Sequence, residues 1–393
     1  MPEDAFDPPR AAVADPIAPT AQVEAGHPRP AAALRAALGP APLAQVFLFA
    51  SPEADFPALV DEAHRVFAGV HVAACTTAGE IGPGGYAEGT ITALGLPAAR
   101  FATRPLLISA AQEPGQAFTD RLIRARVALG EAHPGKPRGF AFLMVDGLSL
   151  REDMLVAAMV PGLGGMPLFG GSAGDGRRFG ATSVGVEGRA HGGAAVLTMV
   201  RTDCRTRVFS LDHLTPHGGR MVVTGADPSA RIVKSINGAP AAAEYARIVG
   251  KDPGQLDELT FAAHPVVVRL GGAHHVRSIQ RVTPEGDLVF FAAIDEGMVL
   301  TIARSEDMAG HLDRALAGMA GPDGPPQAIL GCDCILRRIE AEQSQATHRV
   351  SEVLSRNRVV GFGTYGEQIG PLHVNHTMTG VALYPPPQED GRC

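Results

Sequence analysis

Two stretches far apart in the chain carry nearly the same letters: CTTAGEIGPGGY at residues 75–86 and GTYGEQIGPLHVNHT at residues 363–377. Each reads Thr-x-Gly-Glu and then, with one residue of offset, Ile-Gly-Pro, so each sets a single carboxylate, Glu80 or Glu367, among glycines. Glycine tolerates backbone angles that other residues avoid and lets a ligand or another backbone come close, so both stretches are loops. At 393 residues the chain is long enough for two domain-sized cores, so two domains are expected. The paired loops also raise the expectation of a shared pocket between the domains, where small-molecule sites commonly form.

The patterns around the loops agree with two domains. QVFLFAS at 45–51 is a short apolar run, and DFPALVDEAHRVF at 55–67 has apolar residues at helical spacing after an Asp cap. Strand and helix patterns alternate to about residue 203, with further strands at 139–149 and 192–200 and helices at 117–132 and 151–163. From residue 204 strands dominate, Pro284-Glu285-Gly286 marks a hairpin turn, and helices interrupt near 241–249, 307–319 and 340–356. The expected fold class is therefore an α/β N-terminal domain followed by an α+β C-terminal domain, both built on layered sheets with packed helices. Domains are expected at 42–203 and 204–385. Residues 1–41, rich in Pro and Ala, read as a flexible tail, and 386–393 as a loose C-terminus.

Composition excludes several functions. The net charge is −7 and Lys and Arg are scattered singly, so no basic stripe offers itself to nucleic acid. No apolar run is long enough to cross a bilayer and the first residues are acidic and proline-rich, so no membrane partner and a cytoplasmic location are expected. Five cysteines in a chain of 393 residues do not make a disulfide framework.

Single motifs carry less chemistry than they suggest. GFGTYG at 361–366 matches a dinucleotide fingerprint, but Glu, Gly and Pro follow where the phosphate-binding helix should start. Cys332 and Cys334 share a strand face without a second ligand pair, and nothing local ties Cys75 to a His as a nucleophile. FGGSAGDG at 169–176 follows a strand, where α/β sheets place ligands, and offers Ser172 and Asp175, against the plainer reading of a tight turn. If HVNHTMTG is one strand, His373, Asn375, Thr377 and Thr379 line one face and His376 the other.

In order, CTTAGEI, FGGSAGDG, DEGMVLTIAR, CDCILRRIE and GFGTYGEQIGPLHVNHTMTGVAL resemble the FIST family, with its N-terminal and C-terminal modules, over roughly residues 45–384. The resemblance implies a sensory module of signal transduction that binds a small ligand. The residues it singles out are Thr76, Gly79 and Glu80, then Gly170, Gly171, Ser172 and Asp175, then Tyr365, Gly366, Glu367, Asn375 and Thr377. It also implies an output through a separate partner in trans, such as a histidine kinase, since no kinase, cyclase or helix-turn-helix segment is recognisable. Some members that stand alone bind haem and sense nitric oxide. For a chain of that kind haem b would be held non-covalently, because no C-x-x-C-H occurs, with His373 as the first candidate axial ligand and His376 as the second; otherwise no cofactor is expected. The leading expectation is a sensor and not an enzyme. The alternatives are an enzyme that uses Glu80 or Glu367 as acid or base, and a non-catalytic structural interaction protein.

Overall fold

The computed structural model describes residues 16–109, 114–270, 273–321 and 324–386. One supersecondary unit occurs three times: a strand, a crossover helix, a second strand parallel to the first, a short hairpin, and a return strand antiparallel to the first. In the first unit these are Leu43–Ala50, Phe56–Val66, His71–Thr76, the hairpin of Glu80–Gly82 with Gly85–Ala87, and Thr90–Pro97. In the second they are Arg138–Val145, Glu152–Leu163, Leu168–Ser172, Val184–Val186 with Arg189–His191, and Ala195–Thr202. The third runs from Ala328–Cys334 through two helices, Ile335–Gln343 and Thr347–Arg356, to Val359–Thr364, Glu367–Ile369 with Leu372–Val374, and Met378–Tyr384. An extra strand lies outside each return strand: Thr20–Glu24, Phe101–Ile108 and Arg205–Leu211.

Local chemistry explains the units. Asp55 caps the first crossover helix by accepting from Ala58 N at 3.1 Å, and Phe56, Leu59, Val60 and Ala63 bury its inner stripe. The parallel strands are apolar on both faces because helices cover one side and the neighbouring sheets the other. Where the sheets meet, phenylalanines of all three units touch: Phe49 stacks on Phe362 at 4.8 Å, Phe142 on Phe169 at 4.9 Å, and Phe47 meets Phe142 edge-on at 5.0 Å.

No unit keeps its own hairpin. The first unit's Glu80–Gly82 pairs with Val359–Thr364 of the third, the third unit's Glu367–Ile369 pairs with Leu168–Ser172 of the second, and the second unit's Val184–Val186 pairs with His71–Thr76 of the first. The exchange closes a ring with threefold pseudo-symmetry, and each six-stranded sheet ends in a borrowed hairpin.

Between Arg205–Leu211 and the third unit lies an insert with its own core. An eight-stranded sheet, from the long strand Leu214–Asp227 to Val299–Ser305, packs with helix Ala241–Val249 and the short helix Glu258–Ala263 around residues such as Val233, Ile236, Tyr245 and Phe290. The expected hairpin turn is there, with Ile279–Val282 paired to Leu288–Phe290 and Gly286 at φ +85°. The fold class read from the sequence thus describes the molecule: α/β in its N-terminal part and α+β in its C-terminal part, in layered sheets with packed helices. The hairpin pairings cross the expected 203/204 boundary in both directions.

The flexible-tail expectation for residues 1–41 is corrected where the structure describes them. Thr20–Glu24 pairs with Thr90–Pro97, and Pro30–Ala37 is a helix that buries Ala31 and Leu34. Pro at the first turn suits a helix start, alanine is the best helix former, and Glu62 of the neighbouring helix accepts from the free Ala31 and Ala32 N–H groups at 3.3 Å each. Residues 1–15 and 387–393 lie outside the described residues. HVNHTMTG is also not one strand: the chain leaves Leu372–Val374, turns at His376 with φ +57°, and resumes at Met378. The cause is Glu367, whose carboxylate takes the Thr377 N–H at 3.2 Å and so bends the chain towards itself.

Candidate functional site

The three loops that follow the second strands meet at the pseudo-threefold axis and are tied backbone to backbone. Ala78 N donates to Gly363 O at 2.8 Å and Gly363 N to Gly79 O at 2.6 Å; Tyr365 N donates to Ser172 O at 3.1 Å and Ser172 N to Gly366 O at 2.8 Å; Gly174 N donates to Thr76 O at 3.1 Å. The glycines are needed for this approach. A Cβ on Gly363 would lie 2.8 Å from Ala78 O.

Glu80 and Glu367 hold equivalent positions. Glu80 accepts from Thr77 Oγ1, from Thr90 N at 3.1 Å and from Thr90 Oγ1 at 2.8 Å. Glu367 accepts from Thr364 Oγ1, from Thr377 N at 3.2 Å and from Thr377 Oγ1 at 2.7 Å. Each carboxylate fastens its loop to the start of its own return strand. Burial raises both above the usual carboxylate range, against the pull of these hydrogen bonds, and Glu367 reaches about 8. The second unit has no such glutamate. There Asp175 accepts from Gly180 N at 2.9 Å, Ala181 N at 2.8 Å and the Tyr365 hydroxyl. Burial works to raise the Asp175 carboxyl, but these bonds outweigh it and hold the group below its ordinary range.

Beside the first loop opens a cleft of about 490 Å³. Ser51, Gly79, Glu80 and Gly89 of the first unit, Asp175 to Arg178 of the second, and Ile335, Arg338 and Glu342 on the helix Ile335–Gln343 of the third line it. Arg338 spans its floor: Nη1 donates to Ala87 O at 3.0 Å, Nη2 lies 3.1 Å from Glu88, and the guanidinium stands 5.1 Å over the Tyr86 ring. Gly79, at φ +108°, makes room for it; a Cβ there would sit 2.0 Å from Arg338 Nη1. Arg177 pairs with Glu342 across the rim. The cleft therefore presents guanidinium and carboxylate groups together, which suits a small polar ligand that carries both signs of charge.

Of the residues singled out from sequence, Gly79, Glu80 and Asp175 line this cleft. Thr76 sits just behind it, bonded to Ser183. Gly170, Gly171, Ser172, Gly366, Glu367, Asn375 and Thr377 gather at the equivalent junction of the third and second units, which the insert covers. There Arg231 of the insert pairs with Glu152 and bonds Phe291 O, and Ser172 receives a bond from Gln368 at 3.0 Å. Tyr365 stands between the two places, its hydroxyl on Asp175 and its ring stacked on Phe179 at 4.4 Å.

His373 is buried at that covered junction. Its Nδ1 accepts from Gln368 Nε2 at 3.2 Å and its Nε2 faces Phe291 O at 3.3 Å, while a Cβ on Gly366 would lie 2.4 Å from its Cε1. An axial ligand needs a free lone pair and an open side for the porphyrin. His373 has neither, and His376 has its Nε2 on Glu340 at 2.7 Å, so these side chains do not fit haem as they stand.

Sequence reasoning missed Arg338, which lies inside the quoted CDCILRRIE with no local sign that it faces the first loop. It also missed Thr77, the true counterpart of Thr364; aligning the two Thr-x-Gly-Glu motifs letter by letter finds it.

The three strand–helix units exchange hairpins into one ring, and their loops meet at its axis. The family model of the FIST N domain matches residues 44–239 and that of the FIST C domain residues 241–370. The chain belongs to the FIST family, whose domains are associated with the sensing of small ligands in signal transduction. No curated protein matches the sequence. No helix among the described residues is long and apolar enough to cross a membrane.

Proposed function

We propose that this chain is a sensor that holds a small polar ligand, bearing both an anionic and a cationic group, in the cleft between the first loop and the helix Ile335–Gln343. It reports occupancy to a separate signalling protein, of the histidine-kinase kind that the family resemblance implies. The observation that carries the reading is the cleft itself, built from three distant segments with Arg338 over its floor and Asp175 at its side. A ligand that engages all three segments favours one relative arrangement of them, which is what a sensor needs. Binding without turnover is supported by the state of the reactive groups: Glu80 and Asp175 spend their oxygens on the fold, and burial pushes the Cys75 thiol well above its usual range. The four described cysteines are buried free thiols, in keeping with a reducing compartment such as the cytoplasm.

The test is a thermal-shift screen of the purified protein against amino acids, other zwitterions, dicarboxylates and nucleotides, followed by calorimetry on the strongest hit. Arg338→Ala should weaken that hit at least tenfold and cost about 1–3 kcal/mol of stability, since the buried side chain packs on Tyr86 and donates to Ala87 O. Full affinity in Arg338→Ala would place the ligand elsewhere.

A further inference from the structure

On the face of helix Ile335–Gln343 that carries Arg337 and Glu340, away from the cleft, two histidines converge on one carboxylate. His213 Nε2 lies 3.0 Å from both oxygens of Glu340, and His376 Nε2 lies 2.7 Å from Oε2. The three donor atoms all fall within 4.8 Å of one another. Both imidazoles are buried and the carboxylate is nearly so. They come from three segments: His213 at the root of the insert, Glu340 on the helix, and His376 in the break after Leu372–Val374. We infer that His213, Glu340 and His376 form a binding site for a divalent first-row transition-metal ion, zinc being the model case.

Two imidazoles and a carboxylate are a donor set that zinc and its neighbours accept, with a fourth position left for water or a further side chain. The ring of His311, 6.4 Å from that of His213, is the nearest histidine for that position. The ring nitrogens behave differently on loading. His376 Nδ1 is buried with no hydrogen-bond partner, so the proton of that ring can reside there and leave the Nε2 lone pair to the ion. His213 Nδ1 already accepts from Arg337 Nη1 at 2.8 Å, and arginine only donates, so the metal-free ring carries its proton on Nε2. Loading therefore moves that proton to Nδ1 and turns Arg337 Nη1 away from it, so that His213 ligates as a neutral imidazole, while Arg337 stays paired with Asp333 at 2.6 Å. The site would pin the insert's root to the helix that also carries Arg338 and Glu342 of the cleft.

The experiment is to strip the full chain with a chelator and titrate it with zinc by calorimetry and with cobalt(II) by visible absorption. One ion per chain is expected, with the d–d bands of four-coordinate cobalt and a higher melting temperature. His213→Ala and His376→Ala should each lower affinity on the order of 100-fold, and Glu340→Gln, which keeps the side-chain size, by at least about tenfold. His348→Ala, which removes an exposed histidine beside Glu352, should change nothing. If a histidine variant does not fold, Glu340→Gln and the zinc-dependent melting shift of the wild type decide. A wild type that binds no zinc or cobalt overturns the inference, as does one whose stoichiometric binding survives all three ligand substitutions.

Discussion

Glu80 and Glu367 make the same three hydrogen bonds from the same motif and both are fully buried, yet Glu80 backs the wall of an open cleft while Glu367 lies under the insert. The difference is not in the loops. At the third unit the insert lays Arg231, Arg277 and Phe291 over the junction, whereas at the first unit nothing from the insert covers Glu80 among the described residues. The shared motif is therefore a buttress that builds the ring, and access to ligand is decided by what stands above it. Under the proposed function the cationic contact of the cleft falls to Arg338, which the motif does not contain.

The comparison can be broken by removing what supports one side only. Deleting residues 1–26 takes away the strand Thr20–Glu24, whose Gln22 donates to Thr90 and Thr92, and with it the support behind Glu80. The exposed edge of Thr90–Pro97 and the loss of buried Ile17, Ala18 and Ala21 should cost at least about 4 kcal/mol, or solubility outright. Unchanged denaturant unfolding of the truncated chain would mean that the first loop stands without its neighbour.

Glu367→Ala should destabilise by about 3 kcal/mol, because the Thr377 N–H is left unpaired in a dry interior. Glu80→Ala should cost less, about 2 kcal/mol, since water in the cleft can reach the orphaned Thr90 N–H. Equal losses in urea unfolding would show that the cleft does not wet the first loop.

A pH series sharpens the same contrast. Below pH 4.5 the Glu367 carboxyl is protonated in both states and contributes no slope; between 4.5 and about 8 only the folded protein keeps the proton. Stability should accordingly fall with rising pH across that window, by up to about 1.4 kcal/mol per unit from this group. Glu367→Gln cannot ionise and should flatten the curve there. A wild type and variant with parallel pH profiles would mean that Glu367 is ionised in the fold.

The smallest effect belongs to Gln22→Ala, at about 1 kcal/mol, confined to the first loop. Amide exchange should speed at Thr90 and not at Thr377.

Much of the layered fold could be read directly from the chain. Residues 45–51 and 139–149 announce buried strands by unbroken apolar runs, Asp55 announces a helix start, and Pro284-Glu285-Gly286 announces its turn. The hairpin exchange could not be read, because strands such as Glu80–Gly82 and Glu367–Ile369 have only three residues and their partners lie far along the chain. The helix Pro30–Ala37 was hidden by averaging composition over a segment that also holds proline-rich connections. At the site, the motif located Gly79 and Glu80, and the FGGSAGDG loop located Asp175. Arg338 and His213 carry no local pattern, since what makes them matter is the surface each meets across the fold.

The borrowed hairpins also set an order of events as the chain is synthesised. Leu168–Ser172 waits for Glu367–Ile369, and Glu80–Gly82 waits for Val359–Thr364. Nearly the whole polypeptide must leave the ribosome before either sheet edge is covered. Contacts so distant in sequence slow folding and leave strand edges open to other chains in the interval. This architecture should accordingly fold late and all at once, and a nascent chain that stalls before residue 359 should depend on chaperones more than its final stability would suggest.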